Sequence, residues 1–240
     1  MMLRIAHQND PLIGRALAMY NMHRDATGKP VALTVVYTVK GKFTQALSRR
    51  VAGDAIEVWG PLGNSFSTQE TDHLILVAGG VGQTPMLTLA SAALGKTNFG
   101  TSEGPSAFAK KVTLCYGARS AAYLAGLSDF ETVCSDVRIA TEDGSQGHCG
   151  RVTEVLEHVL GQSEGTTRIA CCGPEPMMQA VSDIARRFQV ACEVSLETPM
   201  ACGIGICFTC VAKVLQPSGE WDYRRTCVDG PIFDSESIVW

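Results

Sequence analysis

Residues 74–85, LILVAGGVGQTP, join a short apolar run to a glycine-rich turn that ends in a proline. Leu74–Ala78 is too short for a helix and suits a buried strand. Gly79, Gly80 and Gly82 allow a sharp turn. Thr84 is expected as the N-cap of the next helix and Pro85 as its first residue, where a missing N–H removes no bond. The uncharged stretch runs on to Gly95, 22 residues in all, long enough to cross a bilayer. The glycines, Gln83 and Pro85 interrupt its first half, so it reads as a buried strand, turn and helix.

Downstream, the same unit repeats. Val112–Tyr116, Val137–Ala140, Arg168–Cys172 and Cys192–Leu196 are short apolar runs separated by helical stretches. The clearest helix is Pro176–Phe188, where Met177, Ala180, Val181, Ile184, Ala185 and Phe188 mark one face. The alternation predicts a doubly wound α/β domain over residues 71–195, with a five-stranded parallel sheet. Lys96–Lys111 is polar and aperiodic, and reads as a surface loop.

The flanks differ. In residues 1–70, Val31–Val39, Ala55–Trp59 and, more weakly, Arg15–Met22 are β-rich, with Pro61, Gly63 and Asn64 as turn residues. This predicts an antiparallel β-barrel, mildly basic with 8 Lys+Arg against 5 Asp+Glu, which suits an anionic cofactor. Residues 196–240 lose the βα pattern and hold a dense set of cysteines, expected as a small third domain.

Composition narrows the function. At 240 residues, 45% apolar and 18% charged, the chain is neither disordered nor collagen-like. A net charge of −4 and a pI near 5.7 make nucleic acid an unsuitable partner. MMLRIAHQNDP lacks the apolar run of a secretory signal, so the ten cysteines are expected as thiols in a reducing cytoplasm, where close spacing points to metal or catalysis.

Cys202, Cys207 and Cys210 stand as C-x4-C-x2-C, and Cys227 follows 16 residues later. That is plant-type [2Fe–2S] spacing, with Gly203 and Gly205 free to turn N–H groups toward sulfur and Ile204, Ile206 and Phe208 to keep water away. A four-cysteine zinc site is the competing reading, although such sites favour paired C-x2-C knuckles. Gly79-Gly80-Val81-Gly82-Gln83-Thr84-Pro85 and Cys172-Gly173-Pro174-Glu175-Pro176 both end predicted strands, on the edge where open α/β sheets bind ligands. A nicotinamide cofactor is expected against Gly79, Gly80, Gly82, Thr84, Pro85, Gly173 and Pro174. Arg119, after the second strand, is placed to reach an adenosine ribose or phosphate, or else is a plain surface arginine. The five histidines have no metal spacing, and the remaining cysteines read as core or inert thiols. A nicotinamide gives up two electrons at once and the cluster takes one, so a flavin is expected in the amino-terminal part.

Together, GGVGQTPM, YGARS, TEDGSQGHCGRVTEVL, CCGPEPMM, LETPMACGIGICFTC and RTCVDGPIF resemble the electron-transfer subunits of dihydroorotate dehydrogenase B, within the ferredoxin-reductase superfamily. The resemblance implies electron transfer between NAD(H) and a partner FMN-containing catalytic subunit through FAD and the cluster, in a heterotetramer serving pyrimidine biosynthesis. It also implies FAD contacts at Arg15, Gly41 and Thr44, and further barrel strands before the segment resembling Met2–Ile5, so either the start codon is misassigned or the barrel is shortened. Ala16 and Ala18 replace a family proline and serine, and Phe43 stands in place of a glycine, which leaves flavin occupancy open. The alternatives are the small subunit of sulfide dehydrogenase or of NADH-dependent ferredoxin:NADP oxidoreductase, whose clusters often have aspartate at the position of Cys202, and a non-enzymatic iron–sulfur module without FAD. Ile204, Ile206, Phe208, Ile232 and Phe233 surround the cysteines as an expected partner interface.

Overall fold

The computed structural model describes residues 1–97 and 106–240. The amino-terminal layer contains β1 (Met2–Ile5), β2 (Arg15–Ala16), β3 (Asn21–Arg24), β4 (Pro30–Thr34), α1 (Lys42–Leu47) and β5 (Ile56–Trp59). β1 lies between β2 and β5 in an antiparallel sheet, and β3 pairs with β4 in a separate hairpin. The expected barrel does not close among the described residues. Beyond Thr34 the apolar run Val35–Val39 finds no partner strand among the described residues. Instead, Val35 packs with Leu3, Ile5 and Phe43 in a small core, and Val36 packs against the core of the large sheet. A stretch that reads as one long strand is thus half hairpin, half bridge between two cores.

The large sheet contains β6 (Thr71–Gly79), β7 (Ala109–Ala118), β8 (Asp136–Thr141), β9 (His148–Cys149), β10 (Thr167–Cys172), β11 (Ala191–Ser195) and, from the end of the chain, β14 (Ile232–Asp234). Its order is β14-β11-β10-β6-β7-β8-β9. All five expected strands are present. The sheet nevertheless has seven strands and is mixed, because the two-residue β9 adds in parallel beside β8 and β14 pairs antiparallel with β11. Both additions are too short to leave a periodic signal. The expected loop 96–111 also shortens: Ala109–Lys111 open β7, and residues 98–105 lie outside the described ones.

The sheet is covered on both faces. Leu74, Leu76 and Ala78 face α2 (Met86–Ala93) and α3 (Leu127–Val133), while Ile75 and Val77 face α4 (Val152–Gly161) and α5 (Glu175–Phe188). This is the period-2 alternation of a strand buried on both sides. On α5 the buried stripe is Met178, Val181, Ser182, Ile184 and Ala185, and Phe188 at the last turn is exposed. A final hairpin, β12 (Val211–Leu215) with β13 (Trp221–Arg225), follows the cysteine loop. Among the described residues no helix is long and apolar enough to cross a membrane.

His73, buried in β6, bonds Ser163 Oγ through Nδ1 and Thr113 Oγ1 through Nε2, each at 2.8 Å. Burial, with the charge of Lys111 behind it, lowers its pKa to about 4. The unfolded chain therefore binds a proton near pH 6.5 that the folded chain refuses until about pH 4, and stability falls as pH drops through that window, by on the order of 3 kcal/mol. Thermal melts of wild type and His73→Gln from pH 7.5 to 4.5 are expected to converge toward the acid end. Parallel curves would exclude His73 as the source of the slope.

Candidate functional site

Two turns meet at the carboxyl edge of the sheet. β6 and β10 are adjacent parallel strands with Ala78 opposite Cys172. The chain leaves β6 toward β7 and β8, then crosses back to β10, so their shared edge is the topological switch point of the sheet. After β6, residues Gly80–Gln83 form a 3-10 turn. Thr84 is already helical, its N–H bonded to Val81 O, and Pro85 is the N-cap of α2. The expected Thr84 cap is thus displaced by one residue, because the 3-10 turn runs directly into the helix.

The glycines divide by what surrounds them. A Cβ on Gly79 would come within 2.6 Å of Met177 Sδ and 2.7 Å of Pro174 Cδ, and one on Gly82 within 2.2 Å of Cys172 O. A Cβ on Gly173 would meet Met177 Cε at 2.5 Å and Gly79 N at 3.0 Å. These three let the two turns interlock. Gly80, at φ +54°, faces open space and is the glycine that leaves backbone accessible. Gly82 is buried between the turns, so its part in the edge is to let them touch, and Gly80 is the glycine with open backbone. A cavity of ≈ 400 Å³ opens beside them, between Gly173–Glu175 and Thr198, Lys213 and Trp240 of the carboxy-terminal segment.

The cysteine loop and Cys227 set the four residues in two pairs. Cys207 lies against Cys202, and Cys227 against Cys210. Among the described residues no three or more Cys, His, Asp or Glu side chains gather as a single metal ion requires; the thiols stand as two pairs. Two thiolates per iron is the arrangement a two-iron cluster takes from four cysteines. Donors point at the sulfurs. Ile204 N–H reaches Cys202 Sγ at 3.4 Å, and Thr209 Oγ1 reaches Cys207 Sγ at 3.2 Å. The Thr209 hydroxyl and amide bring the Cys207 thiol down to about 6, whereas burial pushes Cys227 up to about 11. Gly203 and Gly205 have φ of +71° and +83°, as the loop needs. The other buried thiols are driven up by desolvation, Cys115, Cys172 and Cys192 to about 12 and Cys171 well above its usual value, in keeping with inert core residues.

Residues with no motif hold this loop to the rest of the molecule. Trp59 Nε1, at the end of β5, donates to Cys202 O at 3.0 Å, and a Cβ on Gly203 would strike Met2 Cγ at 2.6 Å and Leu62 Cδ1 at 3.0 Å. Asn64 exchanges bonds with Ile232, its Oδ1 accepting from Ile232 N–H at 2.9 Å and its Nδ2 donating to Ile232 O at 2.8 Å. The turn residues Pro61–Asn64 thereby act as a seam between the amino-terminal layer and the tail. On the outer side, Ile204, Ile206 and Phe208 are 58%, 73% and 63% exposed. Ile232 and Phe233 do not join that patch: Ile232 is buried in β14 and Phe233 packs on the sheet core.

In the amino-terminal layer, Arg15 is exposed on β2 and Gly41 caps α1. Thr44 Oγ1 accepts from the N–H groups of Lys40 and Gly41, at 2.9 and 3.0 Å, which fixes this turn. Lys42 Nζ pairs with the Asp10 carboxylate at 2.6 Å, so the segment before Arg15 and the turn of Gly41 lie together. Phe43 is turned into the small core with Leu3 and Ile5, away from the exposed turn.

The model of the iron-sulfur cluster binding domain of dihydroorotate dehydrogenase B matches residues 197–239, and that of the oxidoreductase NAD-binding domain matches residues 76–183. Among solved structures, an NADH-dependent reduced ferredoxin-NADP oxidoreductase superposes with a TM-score of 0.78 at 28% identity, over 100% of this chain and 78% of that one. The ferredoxin reductase of carbazole 1,9a-dioxygenase shares the fold at 19% identity and a TM-score of 0.52, over 78% of this chain and 54% of its own. Fold and site thus define a ferredoxin-reductase-type oxidoreductase with a carboxy-terminal iron–sulfur segment. Two curated electron-transfer subunits of dihydroorotate dehydrogenase B (NAD(+)) are close in sequence. The one from Caldanaerobacter subterraneus subsp. tengcongensis is 36% identical over 87% of this chain and 76% of its own length, and that from Geobacillus thermodenitrificans 33% over 99% and 84%. The chain belongs to the family of dihydroorotate dehydrogenase B electron-transfer subunits.

Proposed function

We propose that this chain passes electrons between NAD(H) and an FMN-containing catalytic subunit that oxidises dihydroorotate, in the cytoplasm and in the service of pyrimidine synthesis. Residues 1–70, 71–195 and 196–240 are its FAD, NAD and cluster domains, and it works in a heterotetramer. Cys202, Cys207, Cys210 and Cys227 hold a [2Fe–2S] cluster. Arg15, Gly41 and Thr44 face FAD, and Gly79, Gly80, Gly82, Thr84, Pro85, Gly173 and Pro174 build the nicotinamide edge, with Gly80 presenting the open backbone. A bound flavin accepts a hydride and releases electrons singly, which is the conversion a one-electron cluster requires.

One observation carries this reading. The cysteine loop is seated on the amino-terminal layer through Trp59 and Gly203, and its other side exposes Ile204, Ile206 and Phe208. Such a loop has a flavin-side face and an outward apolar face suited to a protein partner.

The isolated chain is expected to reduce artificial dyes with NADH, to release FAD on denaturation, and to oxidise no dihydroorotate until an FMN-bearing catalytic subunit is added. Ile206→Glu should weaken that complex by roughly tenfold or more while dye reduction stays within about twofold, as expected for an exposed anchor at an interface. Dihydroorotate oxidation by the chain alone, or unchanged assembly of the variant, would contradict the proposal. The fold shared with the NADH-dependent ferredoxin-NADP oxidoreductase favours a second reading with another partner, which activity restored by that partner alone would support. A third reading, a module without flavin, rests on Ala18 and Phe43. A core position for Phe43 weakens it, and denatured protein free of FAD would revive it.

A further inference from the structure

Arg225, at the end of β13, pairs with Val211 in its hairpin and sends its side chain to the cysteine loop. Its Nη1 donates to Gly205 O at 3.0 Å, and its guanidinium carbon lies 5.2 Å from the centre of the Phe208 ring. The amide N–H of the same Gly205 reaches the Cys227 thiol. One residue thus has its N–H on a candidate ligand and its C=O on the arginine. Behind it, Asp229 Oδ2 accepts from Arg225 N–H at 2.8 Å and sits 3.5 Å from Nε. The guanidinium is about one-third exposed, so its charge is only partly screened by water. Its planar fork can bond the carbonyl, lie against the ring and face the carboxylate at once, a combination no other side chain offers.

We propose that Arg225 is a positioning residue for the cluster with two effects: it holds the Cys202–Cys210 loop in its coordinating shape, and its positive charge raises the cluster's reduction potential, opposed by Asp229. The second effect follows from electrostatics. Reduction adds one electron and one negative charge to the cluster, and a nearby cation favours the reduced state while a nearby anion disfavours it. The inference rests on the [2Fe–2S] reading, and iron with acid-labile sulfide measured on wild type tests that reading separately.

The experiment is a redox titration of the purified full-length chain, monitored by the electron paramagnetic resonance of the reduced cluster. Arg225→Gln is expected to shift the midpoint to lower potential by on the order of tenfold in the reduction equilibrium, about 59 mV for one electron. Arg225→Lys keeps the charge but loses the fork, so it should restore the midpoint while retaining less cluster per chain. Asp229→Asn should move the midpoint upward. An unchanged midpoint in Arg225→Gln, or one equally low in Arg225→Lys, would overturn the charge role, and full cluster retention in both arginine variants would overturn the positioning role. If Arg225→Gln retains no cluster, Asp229→Asn decides the charge role: an upward shift supports it and no shift defeats it.

Discussion

Gly82→Val is expected to abolish NADH-dependent dye reduction, and to do so through the protein's own backbone. A β-carbon at this position would lie 2.2 Å from Cys172 O, 2.6 Å from Cys172 C and 2.9 Å from Gly173 Cα. None of these atoms belongs to a side chain that can swing away. Cys172 is locked in register with Ala78 on one side and Ser195 on the other. The two glycine turns must therefore separate, and the surface they form at the switch point is lost. Overpacking of this kind costs about 1–3 kcal/mol and is felt locally. The expected result is a rate lowered on the order of a hundredfold, as when reacting groups are misplaced by an ångström, with a melting temperature several degrees lower. Gly80→Ala is the control. It meets no protein atom and suffers only its φ of +54°, a penalty of roughly 1 kcal/mol, so the two turns should stay in contact and any loss of rate should come from a raised KM for NADH at the open backbone. Wild-type turnover and melting in Gly82→Val would show that the turns do not need to touch.

The contrast between these two glycines also marks what the sequence could reveal. Both appear in the same motif, and nothing in GGVGQTP tells which one faces a ligand and which one faces Cys172, because that depends on a strand 90 residues away. The parallel sheet was legible because each strand is a local apolar run between turn residues, and Leu74–Ala78 alternates between two cores as a doubly covered strand must. The cysteine set was legible because the spacing of ligands is itself local. What escaped reading was made by distant pairing. Ile232–Asp234 is three residues long and becomes a strand only because β11 offers an edge. Val35–Val39 has strand composition but no partner strand among the described residues, so it bridges cores instead. Trp59, Asn64 and Arg225 carry no motif, and their importance lies in reaching Cys202, Ile232 and Gly205 across the fold. The apolar set around the cysteines divides for the same reason: Ile204, Ile206 and Phe208 stay outside, while pairing of β14 draws Ile232 inside.

Cys207→Ser is expected to separate the two halves of the electron path. Of the four cysteines, Cys210 and Cys227 are buried and Cys202 partly so, while Cys207 is exposed. Replacing either buried residue would disturb packing along with chemistry, and loss of function there would be ambiguous. At Cys207 the change is one of ligand alone. Thr209 already supplies a hydroxyl donor to the sulfur and holds the thiol near 6, so at neutral pH this position is poised as a thiolate. Serine in its place has a hydroxyl that stays protonated and an oxygen that is a harder, poorer ligand for iron than sulfur. Iron and acid-labile sulfide should therefore fall to a small fraction of wild type, and electron delivery to the catalytic partner should drop on the order of a hundredfold or more when the cluster is absent. The carboxyl edge at Gly79–Pro85 and Gly173–Pro174, and the turn at Gly41–Thr44, do not include the loop. NADH-dependent reduction of dyes that accept electrons directly from the flavin should accordingly remain within about twofold, as for independent, separated sites. Metal analysis, dye assays and partner assays on one preparation distinguish the outcomes. Retained cluster with full delivery would remove Cys207 from the ligand set, and parallel loss of dye reduction would mean that the loop is required by the amino-terminal layer on which Trp59 and Gly203 seat it.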